Sequence, residues 1–553
     1  YSDLLWSVKT QEGAGYIYVV IVSFILAESL DKMRDLSGKE LGIMTAITGL
    51  YGLVNAFSDK LFVPSIYGAF GLLAATLIML FLLNSDKITF SKKQFRGIVL
   101  GMTALVIFLN AKWFITSGDD SYTHLDTYVS AGDSKKKISG TALKHLDEVP
   151  GADTDEFYRS TNLVTTGNLR SSSLLYGYND VSTFSSTLNG GIVNYNNAMG
   201  NCRWNIVSIY DYNFRTYLNT LASVKYMGVA KKNTATIPYG YKKVQETKNK
   251  YYSIYENQYS LPLGYTYDKI VNADRIDQYS AAEKQETTML AAIVEDKDMD
   301  KNSNLTVATK LPLTAQKLKI KNIKLNGVSM TKDTIEIEKP GATMKFSFEA
   351  PANAETYLSL VGDIYAEKDA KEHFITARIK APGVKYGHKF RIDAYTTGQK
   401  EYLFNLGYRE GAVKTCTLKF VGTGTLKYRD LAIYSQTMSN YADRVNALKE
   451  NSLQNAKAEK NTVTGNITVD KDKMLVVTLP YQKGWTAYVD GKKTDIQRVN
   501  YQYIGINLKK GTHDIKLHYQ LPGIKLAFMI TGCGIIAFVA IIIFNIVRKR
   551  RKN

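Results

Sequence analysis

Residues 522–547 read PGIKLAFMITGCGIIAFVAIIIFNIV, and RKRRK follows at once at 548–552. A helix needs about 20 mostly apolar residues to cross a bilayer. Lys and Arg beside a span favour the cytoplasmic side. The stretch therefore predicts a spanning helix over Pro522–Val547, with Arg548, Lys549, Arg550, Arg551 and Lys552 inside and the chain before Pro522 outside.

Four more apolar segments stand at the other end of the chain: Gly15–Leu30, Leu41–Phe57, Phe62–Leu83 and Gly97–Thr116. The first two are shorter, and the second carries Asn55. Read alone, these two also fit buried core helices, but their place beside stronger spans favours the membrane. The loop after the first holds Lys32, Arg34 and Lys39, and the loop after the third holds Lys87, Lys92, Lys93 and Arg96. The alternate loops carry only Lys9 and Lys60. One topology satisfies them all: residues 1–14, 58–61 and about 118–521 lie outside, and the C-terminus lies in the cytoplasm. The chain opens at Tyr1 in mid-pattern, without a basic leader, and is expected to be part of a longer protein.

The 553 residues are 45% hydrophobic and 22% charged, which predicts several folded domains and excludes a disordered chain. Net charge is +19, part of it on the cytoplasmic loops and the rest on the outer region. Such a bias favours anionic neighbours, a lipid phosphate or a polyanionic wall polymer, although a generally basic composition explains it equally well. Nucleic acid is not expected as a partner, since it is not met outside the membrane and no recognition motif is present. The 3 cysteines, Cys202, Cys416 and Cys533, form no Cys-x-x-Cys pair. Whether Cys202 and Cys416 pair stays open.

The outer region divides by pattern. Residues 119–275 read as an α+β domain, with helices at Thr141–Glu148 and Asn213–Leu221 and strands at Tyr226–Val229 and Tyr252–Tyr255. Residues 276–302 read as a helical connector. Over 303–440, short alternating strands such as Ile335/Ile337 and Met344/Phe346/Phe348, broken by Gly, Pro and Asn, predict a β-sandwich. Residues 441–521 read as a small antiparallel β domain, in which Asp490-Gly491 signals a type I′ hairpin. The expected fold class is thus a multi-domain membrane protein: an α-helical transmembrane bundle plus an extracytoplasmic α+β domain, a β-sandwich and a small antiparallel β domain.

The run from Pro480 to Lys492 (PYQKGWTAYVDGK), followed by Asn500, Gly505 and Gly511-Thr512-His513, resembles the C-terminal signature of the bacterial membrane protein YfhO family. Four other stretches fit the same family in order and spacing: Tyr176–Asn179 with Phe184–Ser186, Leu221–Met227, Tyr255–Asn257 with Leu261–Gly264, and Leu406–Tyr408. Each is weak alone, and together they cover most of residues 118–547. The resemblance implies a bacterial cell-membrane location. It also implies kinship with GT-C glycosyltransferases, which take sugar from a polyprenyl-phosphate donor on the outer face. Some family members are implicated in glycosylating lipoteichoic acid. In GT-C enzymes the acidic catalytic residue usually lies on the first outer loop, near the N-terminus. On this resemblance that part is expected to lie upstream of Tyr1, so no motif residue here carries over as catalytic.

Candidate chemistry is sparse. Asp119 and Asp120 follow the fourth expected span, where adjacent carboxylates suit a base or a divalent cation, though such a pair is commonly just a solvated membrane exit. The sequence names no other cofactor. Asn110 and Trp113 lie on that span, where polar side chains face a bundle interior, and they are candidates for a lipid-donor groove or for simple helix packing. The six histidines (His124, His145, His373, His388, His513 and His518) show no metal-ligand spacing. His513 and His518 stand at odd spacing on one strand and so on opposite faces. Gly-x-Ser-x-Gly and phosphate-cradling glycine loops are missing. Trp485 and Tyr488 are candidates for glycan contact, with core packing the plainer role for Trp485. Two functions stay open, a GT-C-type transferase acting on an envelope polymer and a non-catalytic scaffold or binding protein of the envelope. A transporter fits less well, because intramembrane charges and broken helices are scarce.

Overall fold

The computed structural model describes residues 36–56, 64–83, 91–115, 146, 149, 152, 156–163, 173–185, 188–230, 237–246, 252–362, 374–391 and 398–551. The chain divides into two compact units, Tyr1–Ser134 and Lys135–Asn553.

In the first unit, helices run over Gly38–Ala56, Pro64–Leu83 and Lys92–Ile115. Two of them start on reciprocal caps. Ser37 and Glu40 exchange bonds of 2.7 and 3.3 Å, and Ser91 and Gln94 exchange bonds of 2.9 and 3.3 Å. Ile47, Leu50, Ile78, Leu100, Ile107 and Phe108 are exposed, which water would disfavour and lipid would not. The segment Gly15–Leu30 lies outside the described residues, as do the expected helix Thr141–Glu148 (bar the buried Leu146) and His124, His145 and His373.

The second unit is mainly β-structure. Its last sheet has the order Gln454–Glu459, Thr462–Val469, Gly511–Tyr519, Trp485–Val489, Lys492–Thr494, antiparallel throughout. Alternation sorts its side chains: Val463, Ile467, Val469, Ala487, Ile515 and Leu517 are buried in one core. Asp490 and Gly491, at φ 52° and 75°, make the left-handed pair that a type I′ hairpin requires.

The other wall of that core is a seven-stranded mixed sheet with the order Thr306–Val307, Lys269–Asn272, Ala292–Val294, Gln497–Val499, Tyr503–Leu508, Lys473–Pro480, Gly264–Tyr267. Residues on both sides of 440 thus share one sheet. The strand Lys473–Pro480, next to the edge strand Gly264–Tyr267, is buried on both faces along its apolar run Met474–Val477. Leu475 and Val477 face the last sheet, while Met474 and Val476 face a second core. That second core holds seven buried tyrosines: Tyr195, Tyr212, Tyr217, Tyr265, Tyr267, Tyr441 and Tyr503. A buried tyrosine tends to anchor its hydroxyl. Tyr265 donates to the Leu221 carbonyl at 3.0 Å, Tyr267 to that of Thr288 at 2.5 Å, and Tyr441 to Thr220 Oγ1 at 2.6 Å.

A four-stranded sheet lies toward the start of the unit, with the order Arg159–Leu163, Val224–Ala230, Tyr252–Asn257, Tyr241–Glu246. Between 316 and 437, a four-stranded and a five-stranded sheet supply one core through Leu358, Leu360, Phe404 and Ile433 from the first and Met344, Phe346, Ile379, Leu418 and Phe420 from the second. Cys202 and Cys416 are both free and buried in that core.

Among the described residues, Ile524–Arg550 is the helix long and apolar enough to cross a membrane. Its apolar side chains are exposed all round, and Arg548, Lys549 and Arg550 fill its last turn. Four residues separate it from the strand ending at Tyr519.

Candidate functional site

The strands of the last sheet place apolar residues inward and polar ones outward, so its open face is decided by parity. Thr464, Asn466, Tyr488, Asp514 and Lys516 point outward and, with Asn455, Gly465, Gly491 and Ile515, line an open depression of about 600 Å³. Pairing puts Thr464 opposite Lys516, Lys516 opposite Tyr488 and Asn466 opposite Asp514. One phenol, one ammonium, one carboxylate, two amides and a hydroxyl thus share a shallow surface. Such a face can donate and accept hydrogen bonds around a ring stacked on Tyr488.

Trp485 stands three residues from Tyr488 and therefore on the opposite face. It packs on the inner core, with its ring 5.2 Å from that of Tyr519. Its Nε1 is buried without a hydrogen-bond partner. The structure accordingly brings Tyr488, and not Trp485, to the open depression. Asp119 and Asp120 lie outside the described residues. Asn110 and Trp113 fall on the helix Lys92–Ile115.

The signature residues mostly build the frame. Gly484, at φ 109°, has no room for a side chain: a Cβ there would stand 2.4 Å from the Gln520 carbonyl oxygen. The Gly484 carbonyl accepts from the Gln520 amide at 3.0 Å, tying the loop to the strand that leads into the final helix. Asn500 holds Ile293 by accepting from its amide at 2.8 Å and by donating its own amide to the Ile293 carbonyl at 2.9 Å. At Gly505, a Cβ would stand 2.5 Å from Val499. Asn257 donates to Thr220 and to the Val224 carbonyl.

Titratable groups fall into structural networks. Glu286 and Arg444 form a buried ion pair at 2.5 Å. Burial holds the Glu355 carboxyl above its ordinary value, against bonds from Thr216 and Asn405. Asp180, missed by the sequence reading, is raised to about 7 by burial, against the donors of Ser182. Burial lowers His388 to about 4, and its Nδ1 lies 3.0 Å from the Cys202 carbonyl oxygen. Partial burial acts against the His513 cation, but its 2.8 Å bond to Asp490 raises it. Among the described residues, no group of three or more His, Cys, Asp or Glu gathers as a metal site.

Residues 15–531 match the family model described as "Bacterial membrane protein YfhO". The chain is 25% identical to the uncharacterized protein YfhO of Bacillus subtilis (strain 168), over 97% of its own length and 60% of that relative's. It thus spans well under two thirds of the relative. Among solved structures, it is similar at 10% identity to the mycobacterial arabinofuranosyltransferase AftD, over 87% of this chain and 56% of that one, with a TM-score of 0.20. The C-terminal CBM6 of LamC from Zobellia galactanivorans aligns over 22% of this chain and 99% of its own, also at 10% identity, with a TM-score of 0.17. With the family model matched from residue 15 to residue 531, the chain belongs to the YfhO family of bacterial membrane proteins.

Proposed function

We propose that this chain is the C-terminal, acceptor-holding part of a GT-C-type membrane glycosyltransferase. The enzyme moves a sugar from a polyprenyl-phosphate donor to a cell-envelope polymer such as lipoteichoic acid on the outer face. The observation that carries this reading is the open polar face around Tyr488, mounted four residues from a membrane helix. A polymer next to the bilayer meets hydrogen-bonding groups and one aromatic ring there, the mix that sugars and polyols use.

In the proposed reaction, an acceptor hydroxyl attacks the anomeric carbon, the bond to the carrier phosphate breaks, and the hydroxyl proton passes to a base. Asp119 and Asp120 remain candidates for that base or for holding a divalent cation. Asn110 and Trp113 remain candidates for the lipid-donor groove. The topology that goes with this reading is multi-pass, with the β-rich unit outside and the C-terminus inside. It is supported by the exposed apolar side chains of the N-terminal helices and the basic last turn of Ile524–Arg550.

The test is a strain deleted for the full-length gene, with its wall polymers analysed for glycosyl substituents. Loss of one substituent, restored by the intact gene and poorly by a Tyr488→Ala allele, is the expected result. An unchanged glycan profile refutes it. The structural character of the described ion pairs favours one rival, a membrane-anchored scaffold without catalysis. That rival predicts an unchanged profile together with a lost binding partner.

A further inference from the structure

The second unit has another cleft, of about 270 Å³, where three parts of the chain meet. Glu156, Phe157 and Tyr158 come from one side, Lys225 with the loop Ser260–Leu263 from the second, and Lys449 with Ser452–Ala456 from the third. Two lysines, Lys225 and Lys449, line it. Lys225 Nζ stands 5.4 Å from the centre of the Tyr158 ring and 5.3 Å from that of Tyr226. Lys449 is half-buried at the end of the helix Tyr441–Lys449. Burial first, and then the Lys225 charge, hold it below the ordinary lysine value.

Like charges brought together repel, and a half-buried site strengthens the repulsion. A fold tolerates that arrangement cheaply when a bound anion relieves it. Among the described residues, no carboxylate forms an ion pair with either lysine. Glu450 faces Lys473 at 3.8 Å, and Glu156 is the one acid among the described residues lining the cleft. A third cation lies beside it: Arg159, stacked 5.0 Å over Phe157, is half-buried. It spends its donors on the Ala222 carbonyl and on Thr478, not on a carboxylate.

We infer that this cleft binds a phosphate-bearing ligand, with Lys225 and Lys449 as its two charged contacts. Its volume of about 270 Å³ is just below that of ligand pockets, which run about 300–1,000 Å³, so it admits a headgroup or a single phosphate ester and not a long polymer segment. Phe157, Leu261, Pro262 and Leu263 form its apolar wall, which lowers the local dielectric and favours charge pairing. Asn455 lines both this cleft and the depression around Tyr488, so an occupant can extend from one to the other. The inference does not depend on sugar transfer, and its test uses ligands without sugar.

The full chain, purified in neutral detergent, is titrated with sn-glycerol 3-phosphate by calorimetry. In a second arm, native mass spectrometry counts bound phosphatidylglycerol. A charge-assisted contact is worth about a factor of ten or more in affinity. Lys225→Gln and Lys449→Gln should each weaken binding about tenfold, and together about a hundredfold. Lys321→Gln, at an exposed lysine paired with Glu349 away from the cleft, should leave it unchanged. Lys449→Gln removes a partly desolvated charge held beside another, so its melting temperature should equal or exceed the parent's, which separates lost binding from lost folding. Binding in the first arm identifies a soluble ester, and binding in the second alone identifies a lipid headgroup; either supports the site when the double variant loses it. Equal binding by parent and double variant, or no binding of either probe by the parent, overturns it.

Discussion

Arg444→Met should be among the most costly single substitutions in the second unit. Arg444 joins the helix Tyr441–Lys449 to Glu286 on the helix Ala281–Thr287, and both side chains are buried. The Glu286 carboxylate also accepts from the Thr314 amide and hydroxyl and the Ala315 amide, each at 2.7 Å, and from Gln436 at 3.3 Å. Arg444 Nη2 donates to the Pro312 carbonyl at 2.9 Å. Removing one partner of a buried pair costs about 3–5 kcal/mol, since the other charge is left without compensation. Here the carboxylate keeps three strong donors, which places Arg444→Met near the lower end, about 3 kcal/mol. Glu286→Gln is worse placed than its shape suggests. Its amide nitrogen must face either the Thr314 donors or the Ala315 amide, a donor against a donor, so about 2–4 kcal/mol is expected. Shared loss makes the two non-additive, with the double variant about 2 kcal/mol better than the sum. Urea unfolding of the full chain in detergent, followed by the fluorescence of Trp204 and Trp485, measures all three. Stability of Arg444→Met within about 0.5 kcal/mol of the parent, the spread of ordinary surface changes, would refute the reasoning.

Four other outcomes follow from the same geometry. Asp180 is an acid held above its ordinary 3.8, at about 7, so the folded state loses stability as pH rises between those values. Asp180→Asn should therefore match the parent near pH 4 and exceed it by roughly 1–3 kcal/mol at pH 8, allowing for its partial solvent contact; a pH-independent difference in melting temperature contradicts this. Trp485→Ala should destabilise by about 2–4 kcal/mol as a core truncation, and Tyr488→Ala by under about 1, both read as melting temperatures. Gly484→Ala meets both a left-handed φ and the Gln520 carbonyl, and it should cost about 1–3 kcal/mol by the same measurement. Protease added to intact protoplasts should digest the β-rich unit while a C-terminal epitope tag survives; the reverse pattern rejects the proposed topology.

Local pattern carried part of this architecture. The alternation of Val463, Ile467 and Val469 and of Ile515 and Leu517 marks the inner face of the last sheet, and Asp490-Gly491 marks its hairpin. The apolar run and basic end of Ile524–Arg550 are equally plain. The seven-stranded sheet left no such trace. Tyr265 pairs with Val476, and Val294 with Val499, across some 200 residues of chain, and nothing local encodes which distant strand a buried run will meet. Nothing local shows where the rings of the 38 tyrosines go, and seven of them fill one core. The separation of Trp485 from Tyr488 was readable: the parity rule that splits His513 from His518 splits them too. Lys225 and Lys449 were not, since only the tertiary fold brings two lysines 224 positions apart to one cleft.

The link between sheet and span decides how these surfaces can work. A fully extended residue covers about 3.3–3.6 Å, so the four residues between Tyr519 and Ile524 reach at most about 18 Å. They are not free to extend. Gln520 is bonded to Gly484, Tyr519 is packed on Trp485, and Gly523 turns left-handed at φ 78° directly into the helix. The strand Gly511–Tyr519, which carries Asp514 and Lys516 on the open face, is therefore held close to the start of the apolar helix Ile524–Arg550. On the proposed reading, a ligand touching both the depression and the cleft through Asn455 would meet a platform held close to the membrane. A flexible tether would sample many heights and give up that orientation. Inserting a Gly-Ser linker after Gln520 should then leave phosphate binding intact and abolish the glycan phenotype, which separates holding a ligand from presenting it.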